Sequence, residues 1–202
     1  MAGDLHVGVL ALQGDFEAHK ALLESLGARV SLVRRPAQLA PLSGLVLPGG
    51  ESSTLLKLMA DDLEWGPRLR AFANAGRAVL GTCAGLILVA REVSPPQTSF
   101  GLIDAAVERN SYGRQLDSFV ASGAWVDGRP LEMVFIRAPR ILSVGPAVSV
   151  LAEHAGDPVL VQSGAIIAAS FHPELSEQPA AVHRLFLEHA AAATPPRPVA
   201  QP

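Results

Sequence analysis

Cys83 is the single cysteine of the chain and stands in the run Gly81-Thr-Cys-Ala-Gly85. The apolar stretch Ala78 to Leu80 precedes it and a small, apolar stretch from Ala84 follows, which places the cysteine on a turn from strand into helix. The pattern G-x-C-x-G has the form of the G-x-S-x-G nucleophile elbow, with sulfur for oxygen. A turn that sharp leaves no room for neighbouring Cβ atoms, which gives both glycines a purpose. A thiol at a helix N-terminus also meets the positive end of the helix dipole, and thiolate is favoured there. An inert core cysteine is the commoner use of a free thiol, but it needs neither glycine.

Ser170-Phe-His172-Pro-Glu174 follows another apolar stretch, Ala165–Ala169. In extended chain, residues two apart project to the same side, so His172 and Glu174 face one pocket. The carboxylate would orient the imidazole and stabilise its protonated form, the base-and-orienter pair a cysteine nucleophile requires. Alone, His172 reads as a strand-end histidine with an ordinary hydrogen bond; the elbow changes that reading. A third segment, Leu47-Pro-Gly49-Gly50-Glu51-Ser52, leaves backbone N–H groups exposed after a strand, donors suited to an oxyanion in acyl transfer. A plain glycine turn accounts for it equally well without the other two. The remaining histidines, His6, His19, His154, His183 and His189, have no metal-ligand spacing, so no metal site is expected. Neither a G-x-G-x-x-G run nor a Walker loop supports nucleotide binding.

The elements that must hold these segments alternate through the first half. Strands are expected at Val7–Leu12, Arg29–Val33, Leu45–Leu47 and Ala78–Leu80. Helices are expected at Phe16–Leu26, Thr54–Met59 (capped by Ser52 or Ser53), about Pro67–Ala75, and Ala84–Ala90. That order argues for a parallel sheet covered by helices, with sites beyond the strands' carboxyl ends. The second half reads as short strands, Phe119–Trp125, Met133–Ile136, Val148–Leu151, Pro158–Gln162 and Ala165–Ser170, and a closing helix, Val182–Ala193. Residues 1–193 read as one domain and the proline-rich stretch 194–202 as a flexible tail.

At 202 residues with 49% hydrophobic and 17% charged content, the chain has the material for one buried core. Its net charge of −3 leaves no basic footprint for nucleic acid. One cysteine excludes an intramolecular disulfide framework. No apolar stretch is long enough for a membrane span, and the first residues lack a signal peptide's pattern, so a cytoplasmic protein is expected.

Pro-Gly-Gly, Gly-Thr-Cys-Ala-Gly and His-Pro-Glu in this order resemble the class I, triad-type glutamine amidotransferases. Other segments are similar, within that class, to the glutaminases serving pyridoxal 5′-phosphate synthases. These are Leu10-Ala-Leu-Gln-Gly14, Leu47-Pro-Gly-Gly-Glu-Ser-Ser53, Val107-Glu-Arg-Asn-Ser-Tyr-Gly-Arg-Gln115 with Asp117-Ser-Phe119, and Phe135-Ile-Arg-Ala-Pro139. The triad motifs mark only the class; the Arg109–Gln115 and Phe135–Pro139 segments narrow it. The resemblance covers nearly all of the chain except the tail.

It implies a flavodoxin-like, three-layer α/β sandwich with a mostly parallel central sheet and short antiparallel strands in the second half. It makes Cys83 the nucleophile, His172 the base and Glu174 its partner, and places glutamine against Gly49, Gly50, Glu51, Arg109, Ile136 and Arg137. Glutamine offers a carboxylate for arginine and an ammonium for a carboxylate; either arginine fits. The resemblance also implies no cofactor and a (β/α)₈-barrel synthase subunit as the ammonia's user. That partner would make pyridoxal 5′-phosphate from ribose 5-phosphate and glyceraldehyde 3-phosphate. The alternatives are a glutaminase for another amidotransferase, such as one in histidine biosynthesis, a cysteine hydrolase of γ-glutamyl peptides, or an inactive interaction module on the same fold.

Overall fold

A computed structural model describes residues 5–109, 118–176 and 180–193. The first half alternates as its periodicity requires: β1 (His6–Leu10), α1 (Phe16–Ser25), β2 (Arg29–Val33), β3 (Gly44–Leu47), α2 (Ser52–Met59), α3 (Trp65–Asn74), β4 (Ala78–Thr82) and α4 (Ala84–Val89). After it come β5 (Ala90–Ser94), β6 (Ile103–Glu108), β7 (Phe119–Ala124), β8 (Pro130–Phe135) and β9 (Arg140–Val144). β10 (Ser149–His154), β11 (Asp157–Ser163), β12 (Ile166–Ala169) and α5 (Ala180–Ala192) complete the order.

Seven strands form the central sheet in the order β10-β11-β12-β4-β3-β1-β2. Strands β2, β1, β3, β4 and β12 run parallel, and β11 and β10 extend the sheet antiparallel. β3 and β4 are buried along their whole lengths, as parallel strands covered on both faces must be. Their side chains divide between two cores: Leu45, Leu47 and Val79 pack with α2, α3 and α4, while Val46 and Leu80 pack with Leu23 of α1 and Val182 and Phe186 of α5. The result is a helix–sheet–helix sandwich. Among the described residues no helix is long and apolar enough to cross a membrane.

β5, β6 and β9, none of them expected from the sequence, form a small separate sheet in which β5 and β6 are parallel and β9 is antiparallel. The expected helix through Ala90 stops at Val89, where Ala90 turns extended with ψ of 152° and opens β5. This sheet explains α4, whose residues are all buried. The helix lies between the central sheet and Ile103, Ala105, Val107 and Ile141, so it has no wet face and no polar residue to mark one. β7 and β8 make a hairpin of their own. The expected tail 194–202, and residues 110–117 with all of the Asn-Ser-Tyr-Gly-Arg-Gln segment, lie outside the described residues.

Because β1, β3, β4 and β12 are neighbours and point the same way, the chain segments leaving their carboxyl ends emerge together. Those are residues 11–15, Pro48 to Glu51, Cys83, and Ser170 to Glu174.

Candidate active site

Cys83 sits between β4 and α4 with φ 47° and ψ −103°. For a side-chain-bearing residue that left-handed conformation costs on the order of 1–3 kcal/mol and is kept only where the surroundings over-determine it. The surroundings do so here. Cys83 N–H donates to the Ala169 carbonyl at the end of β12, 2.9 Å away. A Cβ on Gly85 would overlap the Leu47 carbonyl oxygen, and one on Gly81 would come within 2.7 Å of the Gly85 carbonyl oxygen. The two glycines let the turn pass that close to backbone. Cys83 is 6% exposed, and its Sγ lies 3.8 Å from the Ile136 carbonyl oxygen.

His172 Nδ1 and Glu174 Oε1 are 2.8 Å apart and buried. The residues meet for a different reason than strand alternation. His172 caps a short 3₁₀ turn, Pro173–Leu175, so the proline ends the extended chain and the turn folds the carboxylate back under the ring. His172 N–H donates to the Val134 carbonyl of β8 at 2.8 Å, fixing the turn to the hairpin. Burial alone would lower the imidazole's pKa, but hydrogen bonds and charge from Cys83 and Glu174 outweigh it and raise it to about 10. Burial would raise the Glu174 carboxyl, yet the charge of His19 and the hydrogen bond from His172 hold it well below the usual carboxylate range. His172 is therefore protonated at neutral pH, with Nδ1 committed to Glu174.

Cys83 and His172 share a cavity of about 100 Å³ with Asp15, Gly50, Glu51, Arg109, Ile136 and Arg137. Gly49 does not line it: a Cβ there would overlap the His172 ring, so Gly49 is the floor on which the imidazole lies. Glu51, not Ser52 or Ser53, caps α2. Its Oε1 accepts from Ser53 N–H and hydroxyl at 3.2 and 2.6 Å, and its Oε2 from those of Thr54 at 2.7 and 2.8 Å. Burial opposes ionisation of Glu51, but the Ser53 and Thr54 bonds bring its pKa down to about 2. Arg109 Nη2 lies 3.5 Å from Glu51 Oε1, and Arg109 Nε is buried with no hydrogen-bond partner among the described residues. Arg137 is exposed at the mouth, with φ 46°.

Sequence reasoning missed four contributors. Gln13 Oε1 accepts from Glu51 N–H at 2.9 Å, and Asp15 N–H donates to the Gly49 carbonyl at 3.2 Å, stitching the β1 and β3 loops together. Asp15 Oδ2 lies 3.5 Å from His172 Nδ1. His19 and His183 are fully buried beneath Glu174; the available signal was that His19 stands one turn before buried Leu23 on α1. Asp15, His172 and Glu174 bring ligand-type atoms within 4.8 Å of one another. Since His172 Nδ1 already bonds Glu174, the cluster is built as an acid–base pair.

Residues 9–192 match the model of the SNO glutamine amidotransferase family. The chain belongs to this family. Curated relatives include a Koribacter versatilis protein, 51% identical over 91% of this chain and 95% of its own length. One from Deinococcus radiodurans is 52% identical over 90% and 95%. Both bear the name pyridoxal 5′-phosphate synthase subunit PdxT. A solved glutamine amidotransferase structure superposes with a TM-score of 0.85 at 44% identity, covering 92% of this chain and 98% of that one. PurLQS from Thermotoga maritima shares the fold at a TM-score of 0.70 and 16% identity, covering 95% and 98%. Family membership covers every segment that supplies the cavity.

Proposed function

We propose that this protein is the glutaminase of a cytoplasmic pyridoxal 5′-phosphate synthase: it hydrolyses L-glutamine to L-glutamate and ammonia and delivers the ammonia to a (β/α)₈-barrel synthase subunit. The observation that carries the reading is the buried 2.8 Å pair of His172 and Glu174 in one cavity with the strained Cys83.

Cys83 thiolate attacks the side-chain amide carbon, forming a C–S bond and an oxyanion. The N–H groups of Gly50 and Ala84 receive that oxyanion; both residues line the cavity, and Ala84, first in its helix, has no intrahelical acceptor for its N–H. His172 gives its Nε2 proton to the nitrogen, the C–N bond breaks and ammonia leaves. The neutral imidazole then takes a proton from water, whose oxygen attacks the γ-glutamyl thioester. Cys83 departs as thiolate, paired again with imidazolium, and glutamate is released. Glu51 faces the substrate ammonium. Arg109, with its unpartnered buried Nε, takes the α-carboxylate, and Ile136 and Arg137 close the mouth.

The names of the Koribacter and Deinococcus relatives support the choice of acceptor. Glutamate release is measured with and without a pyridoxal 5′-phosphate synthase barrel subunit, alongside pyridoxal 5′-phosphate formation from the two sugar phosphates. Glutamine-dependent product and stimulated glutamate release are expected. Full glutaminase activity with no response to the synthase would overturn the partner assignment.

A further inference from the structure

The polar contacts behind His172 do not end at Glu174. Glu174 Oε1 takes His172, but Oε2 is buried with no well-directed hydrogen bond among the described residues. His19 Nε2, from α1, stands 3.3 Å from that oxygen and 3.1 Å from the Thr82 hydroxyl at the end of β4. On its other side His19 Nδ1 lies 2.8 Å from Nε2 of His183 on α5. Both imidazoles are fully buried. The file therefore runs His172, Glu174, His19, His183, across two helices that sequence places 164 residues apart.

We infer that His19 and His183 are positioning residues of the triad: His183 holds the ring of His19, and His19 holds the rear oxygen of Glu174 so that the front oxygen faces His172. An ionised carboxylate has only acceptors, so the His19 nitrogen beside it must carry the proton. On the far side of the ring His19 Nδ1 and His183 Nε2 share one hydrogen bond at 2.8 Å, which holds the His19 ring in that orientation. Two buried histidines without such a task would be a costly way to fill the core between α1 and α5, because buried polar groups stabilise only when each is satisfied. Hydrogen bonds that orient a metal-ligating histidine from behind are worth about 10–100-fold in affinity or activity, and the same orienting task falls here to His19 and His183.

The inference rests on the glutaminase reading, so the assay includes that reading's control. Glutamate release is measured on the synthase complex for wild type, Cys83→Ala, His19→Leu, His19→Gln and His183→Leu, with Tm recorded for each. The groups facing the reacting pair, whose charge shapes any pH profile, are Asp15 and Glu174 behind, with His19 and then His183 beyond Glu174, and Glu51, Arg109 and Arg137 at the cavity. For His19→Leu, kcat falls by roughly tenfold or more while KM for glutamine stays near wild type. The alkaline limb of kcat/KM moves to lower pH, because a loosened Glu174 stabilises the imidazolium less. His19→Gln keeps an N–H donor on the same helix position and recovers most of the rate. His183→Leu lowers kcat with the same pH signature.

A His19→Leu protein with the wild-type kcat and pH limb overturns the inference, as does a loss that His19→Gln shares in full at unchanged Tm. If His19→Leu does not fold, His19→Gln and His183→Leu decide: wild-type rate and pH profile in His183→Leu overturn the relay. Should Cys83→Ala hydrolyse glutamine like wild type, the glutaminase reading itself fails. If Cys83→Ala is dead and all three histidine variants are fully active, the relay alone fails.

Discussion

Gly49→Ala separates two roles for this glycine. The backbone at Gly49 is not in the left-handed region, so alanine brings no conformational strain and acts only through its methyl group. That methyl would sit 2.8 Å from His172 Nδ1 and 3.2 Å from Nε2, where ordinary contact begins at 3.4 Å, and it would overlap Cε1 outright. Nδ1 must therefore retreat by at least 3.4 − 2.8 = 0.6 Å, and the ring as a whole by more. A displacement of about 1 Å in a catalytic group can cost about 10²-fold in rate. Overpacking of this kind costs about 1–3 kcal/mol, or a Tm lowered by roughly 2–12 °C at about 2–4 °C per kcal/mol for a chain of this size. Steady-state glutamate release on the synthase complex, with Tm measured in parallel, should give a kcat down by about two orders of magnitude in a folded protein. A raised KM with unchanged kcat would mean that Gly49 acts by touching glutamine, and the steric account of His172 would be wrong.

Glu51→Ala removes the cap of α2 and with it about 0.5–2 kcal/mol. Thermal melts should show a modest loss, and kinetics a KM that rises more than kcat falls. Arg109→Ala should raise KM for glutamine by roughly 10–100-fold, the equivalent of a lost charge-assisted hydrogen bond of about 1.5–3 kcal/mol. Arg137→Ala, exposed at the mouth, should do less, and the reverse order would exchange the two arginines' roles. Glu174 also fixes an acid-stability signature. Its folded pKa is depressed from an ordinary 4.5, so its contribution is present above that value and is lost as pH falls through the folded pKa. Melts from pH 7 downward should steepen below about pH 4.5, and Glu174→Gln should flatten that loss.

The site was legible where local chemistry is unambiguous. Gly81 and Gly85 around one cysteine require an elbow whatever the rest of the chain does, and the structure puts backbone oxygens where their Cβ atoms would be. His172 and Glu174 were paired by spacing, though a proline-started 3₁₀ turn rather than strand alternation brings them together. What escaped depends on contacts between distant segments. His19 and His183 become partners only once α1 and α5 pack on one face of the sheet. Ser52 and Ser53 are good caps by residue type, but the extended backbone at Glu51 gives that side chain the position. β5 was hidden because Ala90 continues the apolar run of α4 without a break. β6 carried a period-two pattern at Ile103, Ala105 and Val107, short and low in contrast beside the longer runs around it.

The most direct test of the account is to treat the synthase complex with a thiol-reactive glutamine analogue, weigh the intact glutaminase, and measure glutamate release by wild type and Cys83→Ala. One equivalent of label on Cys83, prevented by glutamine, with no label and no glutamate from Cys83→Ala, is the result expected. Glutamate release by Cys83→Ala at the wild-type rate would contradict it.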